Sequence, residues 1–345
     1  MESKIPKNIK DVAKLAGVSI GCVSKYLNNK PYVSEKTKAK IEKAIKKLKY
    51  RPNAIAKSLV VKKSNCIGLL VRDITNPYYS GIIRGIEEYI IEEGYNYSLI
   101  LSDMIDPENI SDKYIDNFLQ RRVDGIATTS DYLSIDYLKM LNSTNIPMVF
   151  INRYIVNPKI SINYVIIDNF KGAYMITEHL IKLGHKNIAH ISTGNSSAVV
   201  SKRLDGYKTA LSDNGIEIND DNIILRGDLT AESGYNIASE LLARENPPTA
   251  IFCINDYTAY GVIDYCFKHN IKIPGDISIA GFDDVSFSSL DFISLTTVRQ
   301  PINDIGRIAA QILFDKIKFG KKDKVHRILE PEIVVRKSTG YPKKA

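Results

Sequence analysis

The sequence predicts an α/β protein: two doubly wound parallel-sheet lobes, preceded by an all-α domain at the N-terminus. Three observations carry this reading. From about residue 65 onward, apolar runs alternate with amphipathic helical stretches. Strands that are apolar throughout and separated by helix-length crossovers belong to parallel sheets covered on both faces. The first 64 residues hold no strand candidate, and the whole chain of 345 residues exceeds the roughly 250–300 at which a single core stops growing.

In the N-terminal segment, helical stretches fall near 9–16, 20–28 and 34–48, with a fourth after Pro52. Val12, Leu15, Ala16, Val18, Val23 and Leu27 are the candidate core of the first two, and Ala13 and Ala16 permit close helix approach. Gly17 supplies the turn and Ser19 can cap the second helix. In the third, Ile41, Ala44, Ile45 and Leu48 fall at i, i+3, i+4 and i+7, with Lys40, Lys43 and Lys47 off the stripe and Ser34 as N-cap. Beyond residue 65 the predicted strands are 66–71, 96–101, 123–128, 147–151, 164–167, 187–191, 249–254 and 276–282. Helices such as "SGIIRGIEEYIIEEG" and "KGAYMITEHLIKLG" lie between them, and Gly94 and Gly184 stand at C-cap positions. About eight such units suggest two lobes rather than one sheet.

Charge is distributed unevenly. Residues 1–64 carry 17 Lys and Arg against 4 Asp and Glu, a net of +13, while the remainder carries 30 against 35, a net of −5. A basic segment on a mildly acidic body is the electrostatic footprint of polyanion binding, against the plainer reading of a solvated lysine face. The four cysteines, Cys22, Cys66, Cys253 and Cys266, form no C-x-x-C pair and lie in apolar stretches, as expected of reduced thiols in the cytoplasm. "MESKIPKNIKD" lacks the apolar core of a signal peptide, and no run approaches the ~18 apolar residues of a membrane helix. There is no Walker A sequence, no H-E-x-x-H and no G-x-S-x-G, and His179, His185, His190, His269 and His326 show no ligand spacing. The sequence therefore predicts neither an enzyme nor a cofactor or metal, and places His185 as a structural residue at a helix end.

The motifs "IKDVAKLAGVS", "VSKYLNN", "VSEKTKAKIEKAIKKLKYRPNAIAKSL", "IGLLVRDITNPYYSGIIRGIEE", "HLIKLGHKNIAHI", "RLDGY", "PTAIFCINDYTAYGV", "IPGDISIAGFDD" and "LTTVRQP" span the chain. Together they closely resemble the lactose-repressor (LacI/GalR) family of bacterial transcription regulators. The resemblance implies a helix-turn-helix DNA-binding domain over 1–50, a hinge helix and linker over 51–64, and a two-lobed effector-binding and dimerisation domain over 65–345. The function it implies is operator binding, as a repressor, under control of a small polar effector, with a sugar first in line. Double-stranded operator DNA, a carbohydrate effector and a second copy of the chain are the implied partners.

Carried over by position, Ile20, Gly21 and Lys25 are the base-reading residues, with Ser19, Cys22 and Ser24 near phosphates; Asn28, Asn53, Ala56 and Lys57 complete the implied DNA-facing set. The commoner family pattern has a polar or bulky pair, then Thr, and Arg in place of Lys25. Lys25 can donate to guanine without the two-pronged geometry of Arg, Ile20 can touch only an apolar edge such as a thymine methyl, and Gly21 offers no side chain. Inward packing is the alternative for Ile20 and Cys22. In the hinge, a helix as short as "NAIAKSLV" is unstable alone, and by resemblance Leu59 is a minor-groove wedge, against ordinary packing in a linker.

In doubly wound sheets, ligands collect at the carboxyl ends of strands. There the sequence places Arg72 and Asp73, Asn152 and Arg153, Asn255 and Asp256, and Asp283 and Asp284. Mapped onto the family motifs, Arg203, Asn255 and Asp283 are the leading ligand contacts, Tyr79 supplies an aromatic face, and Asn152 and Asp73 are further candidates. Asp256 and Asp284 read instead as helix caps. Leu229 stands where many family members place an aromatic ring over the ligand, which weighs against a flat, stacked ligand. Two alternatives share the core: a regulator answering to a phosphocarrier protein, which the "RLDGY" arginine disfavours, and a transported-solute binder, which has no use for a basic headpiece.

Overall fold

The computed structural model describes residues 8–27, 31–50, 63–104, 107–130, 133–153, 162–194 and 197–343. The chain divides into two units, Met1–Ser64 and Asn65–Ala345.

The first unit contains α1 (Ile9–Ala16), α2 (Ile20–Leu27) and α3 (Glu35–Leu48). Asn8 and Asp11 form a reciprocal capping box on α1, and Gly17, at φ 66°, turns the chain toward α2. The Ser19 hydroxyl accepts from the Cys22 amide at 3.2 Å, and Ser34 caps α3. The core is Val12, Ala13, Ala16, Val23, Ile41 and Ala44, with Val18, Leu27, Ile45 and Leu48 packed around it. Leu15, expected in this core, is 44% exposed. The stripe that α1 turns inward is Val12, Ala13 and Ala16, and Leu15 falls beside it.

The second unit holds two parallel sheets. The first has six strands in the order β11-β5-β4-β3-β1-β2, formed by β1 (Cys66–Val71), β2 (Ser98–Asp103), β3 (Gly125–Thr128), β4 (Met148–Ile151), β5 (Asn163–Ile167) and β11 (His326–Leu329). Its crossovers are α4 (Pro77–Glu92), α5 (Pro107–Gln120) and α6 (Ile135–Ser143). The second sheet runs β7-β6-β8-β9, from β6 (Ile188–Thr193), β7 (Ile223–Gly227), β8 (Ala250–Cys253) and β9 (Ser278–Ala280), with α7 (Asn169–Lys182), α8 (Ala198–Asp213), α9 (Ala231–Leu242) and α10 (Asp256–Lys268) around it. The chain crosses between the lobes three times: between β5 and α7, through β10 (Thr297–Arg299) into α11 (Ile302–Phe319), and through β12 (Glu332–Val334). β10 and β12 pair antiparallel, so two of the crossings are bonded to each other.

Four strands, β7, β10, β11 and β12, are absent from the sequence prediction. β7 and β11 are sheet edges with mostly half-buried or exposed residues. An edge strand with one solvated side lacks the continuous apolar run that marks its neighbours. None of the four cysteines is in a disulfide; Cys253 and Cys266 are buried and Cys22 and Cys66 half-buried. Among the described residues no helix is long and apolar enough to cross a membrane.

Glycines set the approach of helix pairs. An added Cβ at Gly261 of α10 would lie 1.8 Å from the Ala231 carbonyl oxygen, and one at Gly234 of α9 would lie 2.1 Å from that of Thr258. Both contacts are to backbone, which cannot rotate away. Gly261→Ala is therefore expected to destabilise the protein by about 1–3 kcal/mol or more, read from the midpoint of denaturant unfolding; an unchanged midpoint would contradict this packing.

Candidate functional site

In the N-terminal unit, Ser19 just before α2 and Ile20, Gly21 and Lys25 on it are exposed, whereas Cys22 and Ser24 are half-buried. Ile20 faces outward with 44% of its surface accessible, and Cys22 packs against the helical core. The two residues for which inward packing was the alternative thus divide. An added side chain at Gly21 would meet only Ser19 Oγ, at 3.8 Å, so a larger residue fits there. Asn28, Asn53, Ala56, Lys57 and Leu59 lie outside the described residues.

In the second unit, Asp73, Tyr79, Asn152, Arg203, Leu229, Asn255 and Asp283 all line one cavity of about 110 Å³. It lies at the carboxyl ends of both sheets, beside the points where strand order reverses at β1 and β6. Arg203 is its buried centre. From α8 its Nε donates to Asn169 Oδ1 at 2.8 Å and Nη1 to the Ile254 carbonyl at 2.6 Å. The guanidinium carbon stands 3.7 Å over the centre of the Phe282 ring, and Nη2 is 4.0 Å from Asp283 Oδ1. Two of its partners are thus neutral oxygens and one a ring face, a setting that leaves most of the positive charge available to an oxygen-rich ligand.

Asp283 is linked to the other lobe. Gln300 Nε2 donates to its Oδ1 at 2.6 Å; Asn152 Nδ2 lies 3.5 Å from Gln300 Oε1 and also donates to the Tyr78 hydroxyl. Asn152 Oδ1 is buried without a hydrogen-bond partner, an open acceptor at the cavity wall. Asp73 and Asp228 hold mirrored turns: Oδ1 of each accepts from the amide and hydroxyl of a threonine two residues on, Thr75 at 2.8 and 2.6 Å and Thr230 at 2.9 and 2.6 Å. Asn152 (φ 53°), Leu229 (φ 75°) and Asp283 (φ 129°) occupy the left-handed region. Such conformations persist in non-glycine residues where surrounding structure imposes them, and they concentrate at ligand sites.

Two readings from sequence are corrected. Asp256 does not cap α10. Asn255 does, accepting from the Thr258 amide at 2.7 Å while its Nδ2 donates to the Leu229 carbonyl at 3.2 Å. The fully buried Asp256 carboxylate instead gathers the Val285 amide and the hydroxyls of Ser288 and Thr297 at 3.0, 2.6 and 2.5 Å, because a charge shut from water needs donors on every side. Asp284 caps no helix either; it pairs with Arg299 at 2.7 Å and Arg336 at 2.6 Å, pinning the paired crossings. His185, after α7, is buried and bonded to Thr249, Ser278 and the Gly340 carbonyl, a structural cross-tie.

Sequence reasoning missed Tyr78, Asn169, Asp228 and Gln300. Asp228 follows β7, itself unread as a strand; the Asp-x-Thr spacing it shares with Asp73 was the available signal. Asn169 and Gln300 sit on crossings, for which no local pattern exists. Among the described residues no group of three or more His, Cys, Asp or Glu side chains is placed to hold a metal ion.

A helix-turn-helix unit followed by a two-lobed ligand cleft defines a ligand-responsive DNA-binding regulator. Residues 8–53 match the model of bacterial regulatory proteins of the lacI family, and residues 64–336 match that of periplasmic binding proteins and the sugar-binding domain of the LacI family. The chain is 37% identical over 332 residues to the HTH-type transcriptional repressor PurR of Vibrio atlanticus (strain LGP32), covering 95% of this chain and 97% of the relative. Its fold is similar to that of the lac repressor dimer bound to operator and the anti-inducer ONPF (TM-score 0.84, 29% identity, 97% of this chain and 100% of that one). A LacI family regulator from Enterococcus faecium with bound ribose is also similar (TM-score 0.72, 31% identity, 81% and 100%). The chain belongs to the LacI family: it is a bacterial DNA-binding transcription regulator with a ligand-binding domain.

Burial pushes the Asp283 carboxyl up to about 8 despite the opposing charge of Arg203, and burial likewise raises Asp256 to about 6 despite its three donors. Both folded values exceed the ordinary one of roughly 3.9, so the folded state holds these protons more tightly. The associated stability is fully present below about pH 4 and is lost as pH rises through 6 and then 8. Asp283→Asn should therefore flatten the decline in unfolding midpoint between pH 6 and 8 and spare the part below pH 6 that belongs to Asp256. An unchanged slope would contradict the assignment.

Proposed function

We propose that the protein is a cytoplasmic repressor that binds a roughly palindromic operator as a homodimer, and that a sugar or similar small polar ligand in the Arg203 cleft controls its DNA affinity. The observation that carries this reading is the convergence of seven residues from both lobes on one compact cavity around a buried guanidinium. Ordered arginine, amide and carboxylate groups suit the donor and acceptor pattern of sugar hydroxyls. Ribose in the E. faecium relative and operator DNA in the lac repressor support the two halves of the proposal. Asn255 would contribute its remaining amide hydrogen and lone pair, Asp73 and Tyr79 the mouth of the site, and Leu229 an apolar lid in place of a ring.

On the DNA side, the exposed Lys25 is the main polar base reader, Ile20 meets an apolar base edge, and Ser19, Cys22, Ser24 and Asn28 approach phosphates. Residues 51–64 form the hinge, with Asn53, Ala56 and Lys57 at the DNA and Leu59 as the wedge. With few polar base contacts, discrimination comes in large part from deformability of the operator centre. The protein catalyses no reaction in this reading.

Gel-shift titration on the promoter region beside its own gene should show binding that weakens steeply with salt, with a log–log slope near −0.9 per phosphate neutralised. Lys25→Ala should cost about 1–3 kcal/mol on the best operator. Arg203→Ala should retain operator binding and lose its response to the sugar that raises the thermal midpoint of the wild type. No protection at low salt would exclude the DNA-binding half, and a normal response in Arg203→Ala the cleft.

A further inference from the structure

The carboxyl ends of the six-stranded sheet face the effector cleft, so the amino ends of β4, β5 and β11 lie along its opposite edge. A second and larger cavity, of about 450 Å³, opens there between α6, the start of β4 and the C-terminal end of α11. This size falls within the roughly 300–1,000 Å³ of small-molecule sites. α11 lines this cavity through Lys316, close to the helix end at Phe319, and the two cavities share no lining residue.

The lining has two chemical faces. Leu138, Leu141, Met148 and Phe150 make an apolar floor, and Lys316, Lys321, Lys322 and Lys324 make a wall, with the Asn142 and Asn145 side chains between. Among the described residues, Lys321 alone of these four forms an ion pair with a carboxylate, Asp315 at 2.9 Å. Lys316 donates to the Lys321 and Asp323 carbonyls, and Lys324 to Asn142 Oδ1 at 3.2 Å. These bonds hold the two ammoniums at the wall without neutralising them, and among the described residues no ion pair involves Lys316, Lys322 or Lys324. The cost is visible. Desolvation holds Lys316 below the usual lysine range against the pull of Asp323 and Asp315, and desolvation and then the charge of Lys316 lower Lys324. Neighbouring cations beside an apolar floor are stabilised when an anion enters between them.

We propose that this cavity binds a phosphorylated small molecule, its phosphate held by Lys316, Lys322 and Lys324 and its organic part resting on Leu141, Met148 and Phe150. The site is separate from the Arg203 cleft and would give the regulator a second chemical input.

Isothermal titration of the full-length protein at fixed ionic strength, with pyrophosphate, glucose 6-phosphate, AMP and unphosphorylated glucose as probes, tests this. At least one organic phosphate should bind saturably and more tightly than pyrophosphate. Its affinity should fall about tenfold or more in Lys316→Gln/Lys324→Gln. Lys322→Gln, at an exposed position, should weaken it in the same direction. Absence of saturable binding by every phosphate would overturn the proposal. So would binding that all the lysine variants retain at wild-type strength, since that would place the anion in the effector cleft or on the surface at large.

Discussion

The fold of the ligand domain is organised around the buried guanidinium of Arg203. A guanidinium shut from water is tolerated only where hydrogen bonds and ring faces replace its hydration. Arg203 meets that demand by reaching Asn169 on the first crossing between the lobes, the Ile254 carbonyl at the end of β8, the Phe282 ring after β9 and, at 4.0 Å, Asp283. These partners come from three separate stretches of sequence, around 169, 254 and 282–283. Removing the arginine would leave these segments without their common contact.

The contacts continue beyond Arg203 into the machinery that connects the lobes. Asp283 is held by Gln300 on the second crossing, and Gln300 approaches Asn152 of the first lobe. The neighbouring Asp284 joins Arg299, which reaches Glu332 on the third crossing at 3.0 Å. Ligand oxygens entering beside Arg203 and Asn152 would therefore compete with bonds that also set the posture of the crossings. A ligand shifts a conformational equilibrium only by its differential affinity for the two states. This network is where such a difference can arise, because its members contact both the cavity and the segments that connect the lobes.

Much of this was legible in the sequence, and the exceptions have physical causes. Buried strands such as "CIGLLV" announce themselves because both faces are covered, and the residues just after them, Asp73, Asn152 and Asn255, follow into the cavity from the general rule for parallel sheets. Asp283 follows a strand in the same way and is singled out by the family motif, whereas Arg203 is placed by family resemblance alone, since a single arginine in a helix carries no mark of burial. The sequence assigns the cap of α10 to Asp256 because both it and Asn255 stand at the helix start and either can cap; Asn255 takes the cap and also lines the cavity. The burial of Asp256 beneath Ser288 and Thr297 is a tertiary fact without local trace. Leu15 was misplaced by the looser spacing of apolar residues in an eight-residue helix, where one position separates an inward from an outward face. Gln300 escaped notice because crossings between lobes have no repeating pattern.

Under the proposed function, the Asp283–Gln300–Asn152 contacts couple cleft occupancy to DNA affinity. The direct measurement is fluorescence anisotropy of labelled operator DNA, with and without saturating effector sugar, for wild type and Gln300→Ala, alongside calorimetric affinity of the sugar itself. The variant should still bind the sugar through Arg203 while the ratio of operator affinities with and without sugar moves toward one. A variant that binds the sugar and keeps the full wild-type ratio would contradict it.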